Sequence, residues 1–264
     1  MHPVLLKLGR LEIYAYGVAL AISFLLGIYW AIHRAEKRGI RKDDVMDLSI
    51  LVVISAIVGS RFLYVVTHLD EFHGHWLDTI SPFQSTGAIG IAGLSMLGGV
   101  VMAILVVMGY CLSRKISILR LFDVFAPSFA LGIFITRIGC FMNGCCFGKA
   151  CDLPWAVTFP VISPAGATLP GVHIHPTQLY SSLYGLVILL VLYFLDRRPR
   201  FDGFLGAMFF ILYGLSRFLV DFVRYYEESV QVNLGIAVLT INQVISLLMI
   251  LTGGVMLLLL SRRK

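Results

Sequence analysis

Apolar runs long enough to cross a hydrocarbon layer recur along this chain, and the short segments between them carry most of its charge. About 20 apolar residues span a core roughly 30 Å thick. Seven such runs are present, at roughly 16–32, 48–66, 94–111, 121–141, 179–195, 203–223 and 241–260. In lipid each span must satisfy its own backbone polar groups, so the pattern predicts an all-α integral membrane protein, a bundle of seven transmembrane helices.

The polar segments predict an orientation. Arg34, Lys37, Arg38, Arg41 and Lys42 follow the first run, Arg114, Lys115 and Arg120 the third, Arg197, Arg198 and Arg200 the fifth, and Arg262, Arg263 and Lys264 the last. Loops rich in Lys and Arg stay in the cytoplasm, which puts the amino end outside and the carboxyl end in the cytoplasm. The alternate segments agree: 67–90 has no Lys or Arg and carries Asp70, Glu71 and Asp78, and 143–178 has only Lys149. The first run has its basic cluster behind it and no small-residue cleavage site, so it is expected to remain as a helix.

Composition supports the membrane assignment, with 58% hydrophobic and 14% charged residues and a mean hydropathy of +0.88. The net charge of +6 is accounted for by the cytoplasmic loops, and no nucleic-acid partner is expected. No repeat or low-complexity tract divides the chain, so 1–264 is expected to form a single membrane domain that includes extracytoplasmic segments at about 67–90 and 143–178. Pro154, Pro160, Pro164, Pro170 and Pro176 predict irregular or short-strand structure in the second of these.

Arginine inside a span costs roughly 2.5–3.5 kcal/mol on insertion scales, and this chain has Arg61, Arg137, Arg217 and Arg224 in the outer halves of three spans. Tyr213, Arg217, Asp221 and Arg224 step by four, four and three along one helical face. One reading is snorkelling plus an internal Arg217–Asp221 lock. The other is an anion site whose guanidiniums suit phosphate, the anion of a phospholipid headgroup. His175 and Gln178 lie on one side of the entrance to the fifth span, near Pro176 and Tyr180. Histidine there is either structural or a proton carrier. Gly98 and Gly99 let a helix or a lipid approach the backbone closely.

The stretch RIGCFMNGCCFGKAC, 137–151, holds Cys140, Cys145, Cys146 and Cys151. Its spacing is not that of a zinc knuckle, adjacent cysteines rarely reach one ion together, and no C-x-x-C occurs, so no metal is expected. A local disulfide joining Cys151 to Cys145 or Cys146 is one expectation. Asn143-Gly144 reads as a turn, and Gly148 as a point where the loop backbone approaches a headgroup.

Taken in order and spacing, RIGCFMNGCCFG (137–148), HPTQLY (175–180), YGLSRFLVDFVR (213–224), SRFLYV (60–65) and YGV (16–18) resemble the prolipoprotein diacylglyceryl transferase family across nearly the whole chain. The resemblance implies a seven-helix enzyme of the bacterial cytoplasmic (inner) membrane, acting toward the outer leaflet without a cofactor. It would move the diacylglyceryl group of phosphatidylglycerol onto the lipobox cysteine of a prolipoprotein signal peptide, the first step of lipoprotein maturation, and release glycerol phosphate. Carried onto this sequence, it makes Arg137 a lipid-contacting residue and Arg217 an essential one. It also marks Tyr16, Gly148 and Tyr213 as positions used, and puts Asp221 where a glutamate is usual. Arg61, Asn143, Gln178, Tyr180, Arg224, Gly98 and Gly99 join them as candidate lipid contacts, and His175 and Asp221 as candidate bases. Three positions depart from the pattern: Leu97 stands for a histidine, Cys140 for an asparagine and Cys145 for an acid. A relative with another acceptor, and a lipid or anion transporter, are the alternatives.

Overall fold

The computed structural model describes residues 4–8, 11–72, 79, 93–198, 200–226, 231–233 and 238–262. All seven apolar runs form helices long and apolar enough to span a membrane. They are α1 (Ala15–Ala35), α2 (Lys42–Thr67), α3 (Met96–Arg114), α4 (Ile118–Asn143), α6 (Thr177–Asp196), α7 (Phe204–Asp221) and α8 (Ile241–Ser261), with a single short helix, α5 (Pro164–Thr168), in the long segment before α6. Two antiparallel hairpins lie outside the spans, β1 (Val4–Leu8) with β2 (Leu11–Tyr14) and β3 (Gln231–Asn233) with β4 (Val238–Thr240). Most of the expected 67–90 segment, Asp78 included, lies outside the described residues, as do Arg263 and Lys264.

The chain forms two compact units, one of Met1–Arg34 with Leu119–Lys264 and one of Ala35–Ile118. In the smaller unit α2 and α3 meet through glycines. A Cβ on Gly98 would stand 2.5 Å from that of Leu63, and one on Gly99 3.0 Å from the Ala56 carbonyl oxygen. The helix backbones touch there, so helix packing is one role of these two glycines. Arg61 is also occupied within this unit. Its guanidinium donates to the carbonyls of Thr79 (2.9 Å) and Gly93 (3.2 Å) and lies 5.1 Å from the centroid of the Phe72 ring, which stitches the end of α2 to the approach to α3.

The larger unit has a core of Ala126 and Ala130 from α4, Ile188, Leu189 and Leu192 from α6, and Phe204, Leu205 and Phe209 from α7. Leu183, Val187, Leu190, Leu248, Leu251 and Leu258 remain exposed, as a lipid-facing surface requires. Two polar locks tie the helix ends. The wholly buried Asp123 on α4 accepts from the amides of Gly203 (2.8 Å) and Gly206 (2.9 Å), satisfying donors at the start of α7 that have no partner within the helix. Arg34 at the end of α1 pairs with Asp196 at the end of α6 (2.9 Å) and donates to the Val124 carbonyl (2.9 Å).

Asp123→Ala strands two buried amides, each costing about 1–3 kcal/mol when unsatisfied. It should lower the thermal midpoint in detergent clearly more than Asp123→Asn, which keeps an acceptor. Equal midpoints for the two variants would contradict this account of the α7 start.

Candidate active site

The site is built where α4 runs out. Gly144, at φ +76°, ends the helix, its amide bonding to the Cys140 carbonyl at 2.9 Å. The chain then threads between the start of α6 and the end of α7. On one side Gln178 Nε2 donates to the Cys145 carbonyl and Thr177 Oγ1 to the Cys146 carbonyl, both at 2.8 Å. On the other the Lys149 amide reaches the Val223 carbonyl (2.8 Å), the Tyr225 amide reaches Phe147 (3.1 Å), and the Phe147 and Tyr225 rings stack at 5.2 Å. The loop therefore pairs as a strand would, with Gly148 opposite Arg224 and Ala150 opposite Ile174.

Gly148 is required by this threading. A Cβ there would stand 2.6 Å from both the Cβ and the carbonyl oxygen of His175, so its bareness serves the crossing of two chain segments. Gly139 does similar work deeper in α4. Its Cβ would lie 2.6 Å from that of Ala19 and 3.2 Å from Tyr16 Cα, and α1 thereby comes close enough to bring Tyr16 into the electrostatic neighbourhood of Arg137, Cys140, Cys145 and Cys146.

Arg137, Tyr213 and Arg217 are brought together as expected, and Tyr184, which the sequence reading passed over, joins them. Arg137 has Tyr184, Cys146, Cys140 and Tyr213 as its charge neighbours, and the Tyr184 and Tyr213 rings meet edge to face at 6.2 Å. The Tyr184 hydroxyl and Gln178 Oε1 are buried without a hydrogen-bond partner of ordinary geometry. Tyr180, one turn earlier, is different: its hydroxyl accepts from Trp155 Nε1 (2.8 Å) and lies 3.3 Å from His175 Nδ1. Tyr180 therefore holds the rim, and Tyr184 points where the arginines are. Asn143, at the last turn of α4, reaches the Cys145 side chain.

Asp221 accepts from three side chains. It pairs with Arg217 (2.9 Å) and accepts from Tyr226 Oη (2.6 Å) and from Thr240 Oγ1. Tyr226 in turn accepts from Arg217 Nη2 (2.5 Å) and Asn242 Nδ2 (3.1 Å), and its phenol is pushed up from the ordinary range by burial and by the Asp221 carboxylate. Thr240 also caps α8, accepting from the Gln243 amide at 3.1 Å. Both Asp221 oxygens are thus engaged. Its carboxylate fixes Arg217 to the start of α8.

Charge does not balance here. Among the described residues Asp221 answers Arg217, and no carboxylate pairs with Arg137 or Arg224, the latter lying 5.2 Å from the centroid of the Tyr226 ring. Hydrogen bonds from Cys140 and Cys145 hold the Cys146 thiol below the usual range, and Arg224 and Arg137 act in the same direction. All five cysteines are free thiols, so the expected bridge from Cys151 is absent. The Cys151 amide bonds instead to the His173 carbonyl (3.0 Å).

The family model described as prolipoprotein diacylglyceryl transferase matches residues 3–259. The chain belongs to that family. Among its relatives, the phosphatidylglycerol–prolipoprotein diacylglyceryl transferase of Geobacter sulfurreducens is 34% identical over 268 residues, covering 100% of this chain and 97% of that protein. The enzyme of the same name from Clostridium tetani is 30% identical over 253 residues, covering 96% and 95%. The one from Bordetella avium is 34% identical over 268 residues, covering 99% and 96%.

Removing Asp221 leaves Arg217 buried without its counter-charge, and breaking such a pair costs about 3–5 kcal/mol. Losing a single neutral donor costs about 1 kcal/mol. Thermal unfolding of Asp221→Ala should therefore show a several-fold larger loss than Thr240→Val, and similar losses would mean that Asp221 does not anchor Arg217.

Proposed function

We propose that this protein transfers the diacylglyceryl group of phosphatidylglycerol to the lipobox cysteine thiol of a prolipoprotein. The observation that carries the reading is the positive charge of Arg137 and Arg224, which no carboxylate among the described residues pairs with, in the same unit as the oriented Arg217. Family membership and the printed names of the relatives supply the substrates. The protein would act in the bacterial cytoplasmic membrane with this site toward the outer leaflet, as the distribution of Lys and Arg among the loops implies.

The reaction is a displacement at the sp3 carbon of the glyceryl group. The acceptor sulfur forms a C–S bond, the C–O bond to phosphorus breaks, and glycerol phosphate leaves with the bonding electron pair. Arg137 and Arg217 would hold the phosphate while its charge grows, a contact worth most where water is scarce. The buried Gln178 Oε1, which has no hydrogen-bond partner, is suited to a hydroxyl of the glycerol headgroup, since buried polar atoms require partners, and the Tyr184 hydroxyl lies beside Arg137 and Arg217. The acceptor thiol, with an ordinary pKa of about 8.5, must give up its proton. Asp221 is committed elsewhere, so His175 is the candidate to receive it, with the neighbouring arginines favouring the thiolate.

Incubation of the purified protein with phosphatidylglycerol and a lipobox peptide should add the mass of one diacylglyceryl unit to the peptide. Arg137→Gln should lower kcat by about 10²–10³, the usual cost of a lost charge-stabilising donor. An unmodified peptide, or the diacylglyceryl group found on another acceptor instead, would overturn the reading. His175→Gln should slow transfer, and near-normal rates in that variant would remove His175 from the mechanism.

A further inference from the structure

Three of the loop sulfurs are gathered in a way that the proposed transfer does not require. Sγ of Cys140, Cys145 and Cys146 all lie within 4.8 Å of one another, with Cys140 buried and the other two partly so. The sequence reading set adjacent cysteines aside because neighbouring side chains ordinarily diverge. Here Cys146 takes a left-handed backbone, φ +59°, one of two such non-glycine positions among the described residues, and the two neighbouring thiols converge on that of Cys140. The backbone is held in that shape from the α6 side by the bonds of Gln178 and Thr177 to the carbonyls of Cys145 and Cys146.

We propose that Cys140, Cys145 and Cys146 form a three-thiolate site for a soft monovalent ion of the copper(I) kind. A metal about 2.3 Å from each of three sulfurs sets them about 4 Å apart, and the observed sulfurs need only close slightly to reach that spacing. Among the described residues no histidine or carboxylate joins the group to supply a fourth ligand. Zinc favours four ligands, and thiolates serve it as well as copper(I), so it is the number of ligands, three soft sulfurs and no fourth, that favours copper(I). Binding forms three metal–sulfur bonds, releases the thiol protons to solvent, and changes no oxidation state.

The test is titration of the full-length reduced protein in detergent with copper(I), under anaerobic conditions and against a chelator of known affinity, followed by X-ray absorption at the copper edge. The expected result is one copper per chain with three sulfur neighbours, and an affinity lowered by more than about a hundredfold in Cys146→Ser and Cys145→Ser, beyond the cost typical of losing an outer-shell partner. Cys111→Ser and Cys151→Ser should bind as the unaltered protein does. A parallel titration with zinc should give weaker binding that requires an added small-molecule ligand. The proposal is overturned by fewer than three sulfur neighbours in the unaltered protein, by no binding, by zinc outcompeting copper(I), or by copper retained in Cys146→Ser. The spectrum of the unaltered protein decides even where a variant fails to fold. Loss of copper, with peptide transfer intact, would leave the transferase reading untouched.

Discussion

The Arg217–Asp221 pair is the constraint on which the rest of the larger unit depends. A guanidinium placed in a membrane-spanning helix costs several kcal/mol unless its charge is answered. Here Asp221 answers it one turn later, at 2.9 Å. The carboxylate does more than neutralise. By accepting from Tyr226 and Thr240 it ties the end of α7 to the cap of α8, and α7 continues directly into the segment that pairs with the loop after α4 through Gly148 and Arg224. One ion pair thus sets the position of Arg217, the start of α8 and one wall of the loop.

Arg137 is the complementary case. It comes from α4, its close neighbours are Tyr184, Tyr213 and cysteine sulfurs, and no carboxylate among the described residues meets it. An arginine held by a fixed partner and an arginine without one make a site that is rigid on one side and electrostatically unfinished on the other. That combination suits a phosphate whose charge increases during reaction, because the donors are already oriented when the charge develops.

Much of this was legible in the sequence, for identifiable reasons. The spans were readable because bilayer thickness sets a length that few soluble helices match with such apolar composition. Arg137 and Arg217 stood out because their cost in lipid demands an explanation. What the sequence hid was tertiary. Tyr180 and Tyr184 are one helical turn apart, and only packing tells that the first is taken by Trp155 while the second faces Arg137. Tyr226, Thr240 and Asn242 reach Asp221 and one another only through the meeting of α7 with α8. Glycine is ambiguous by nature: Gly98, Gly99 and Gly148 all signalled close approach, and in each case the approaching group is the protein's own chain. The adjacent Cys145 and Cys146 were misleading because spacing rules assume ordinary backbone, and Cys146 departs from it.

The central claim is that the two arginines hold the phospholipid phosphate, and native mass spectrometry of the protein released from micelles doped with phosphatidylglycerol tests it most directly. One phosphatidylglycerol should remain on the unaltered protein at energies that strip bulk lipid, Arg137→Gln should lose it while keeping its thermal midpoint within a few degrees, and Arg217→Gln should lose it together with a lowered midpoint, because it leaves Asp221 buried without its counter-charge. Equal retention of the lipid by both variants would contradict the account.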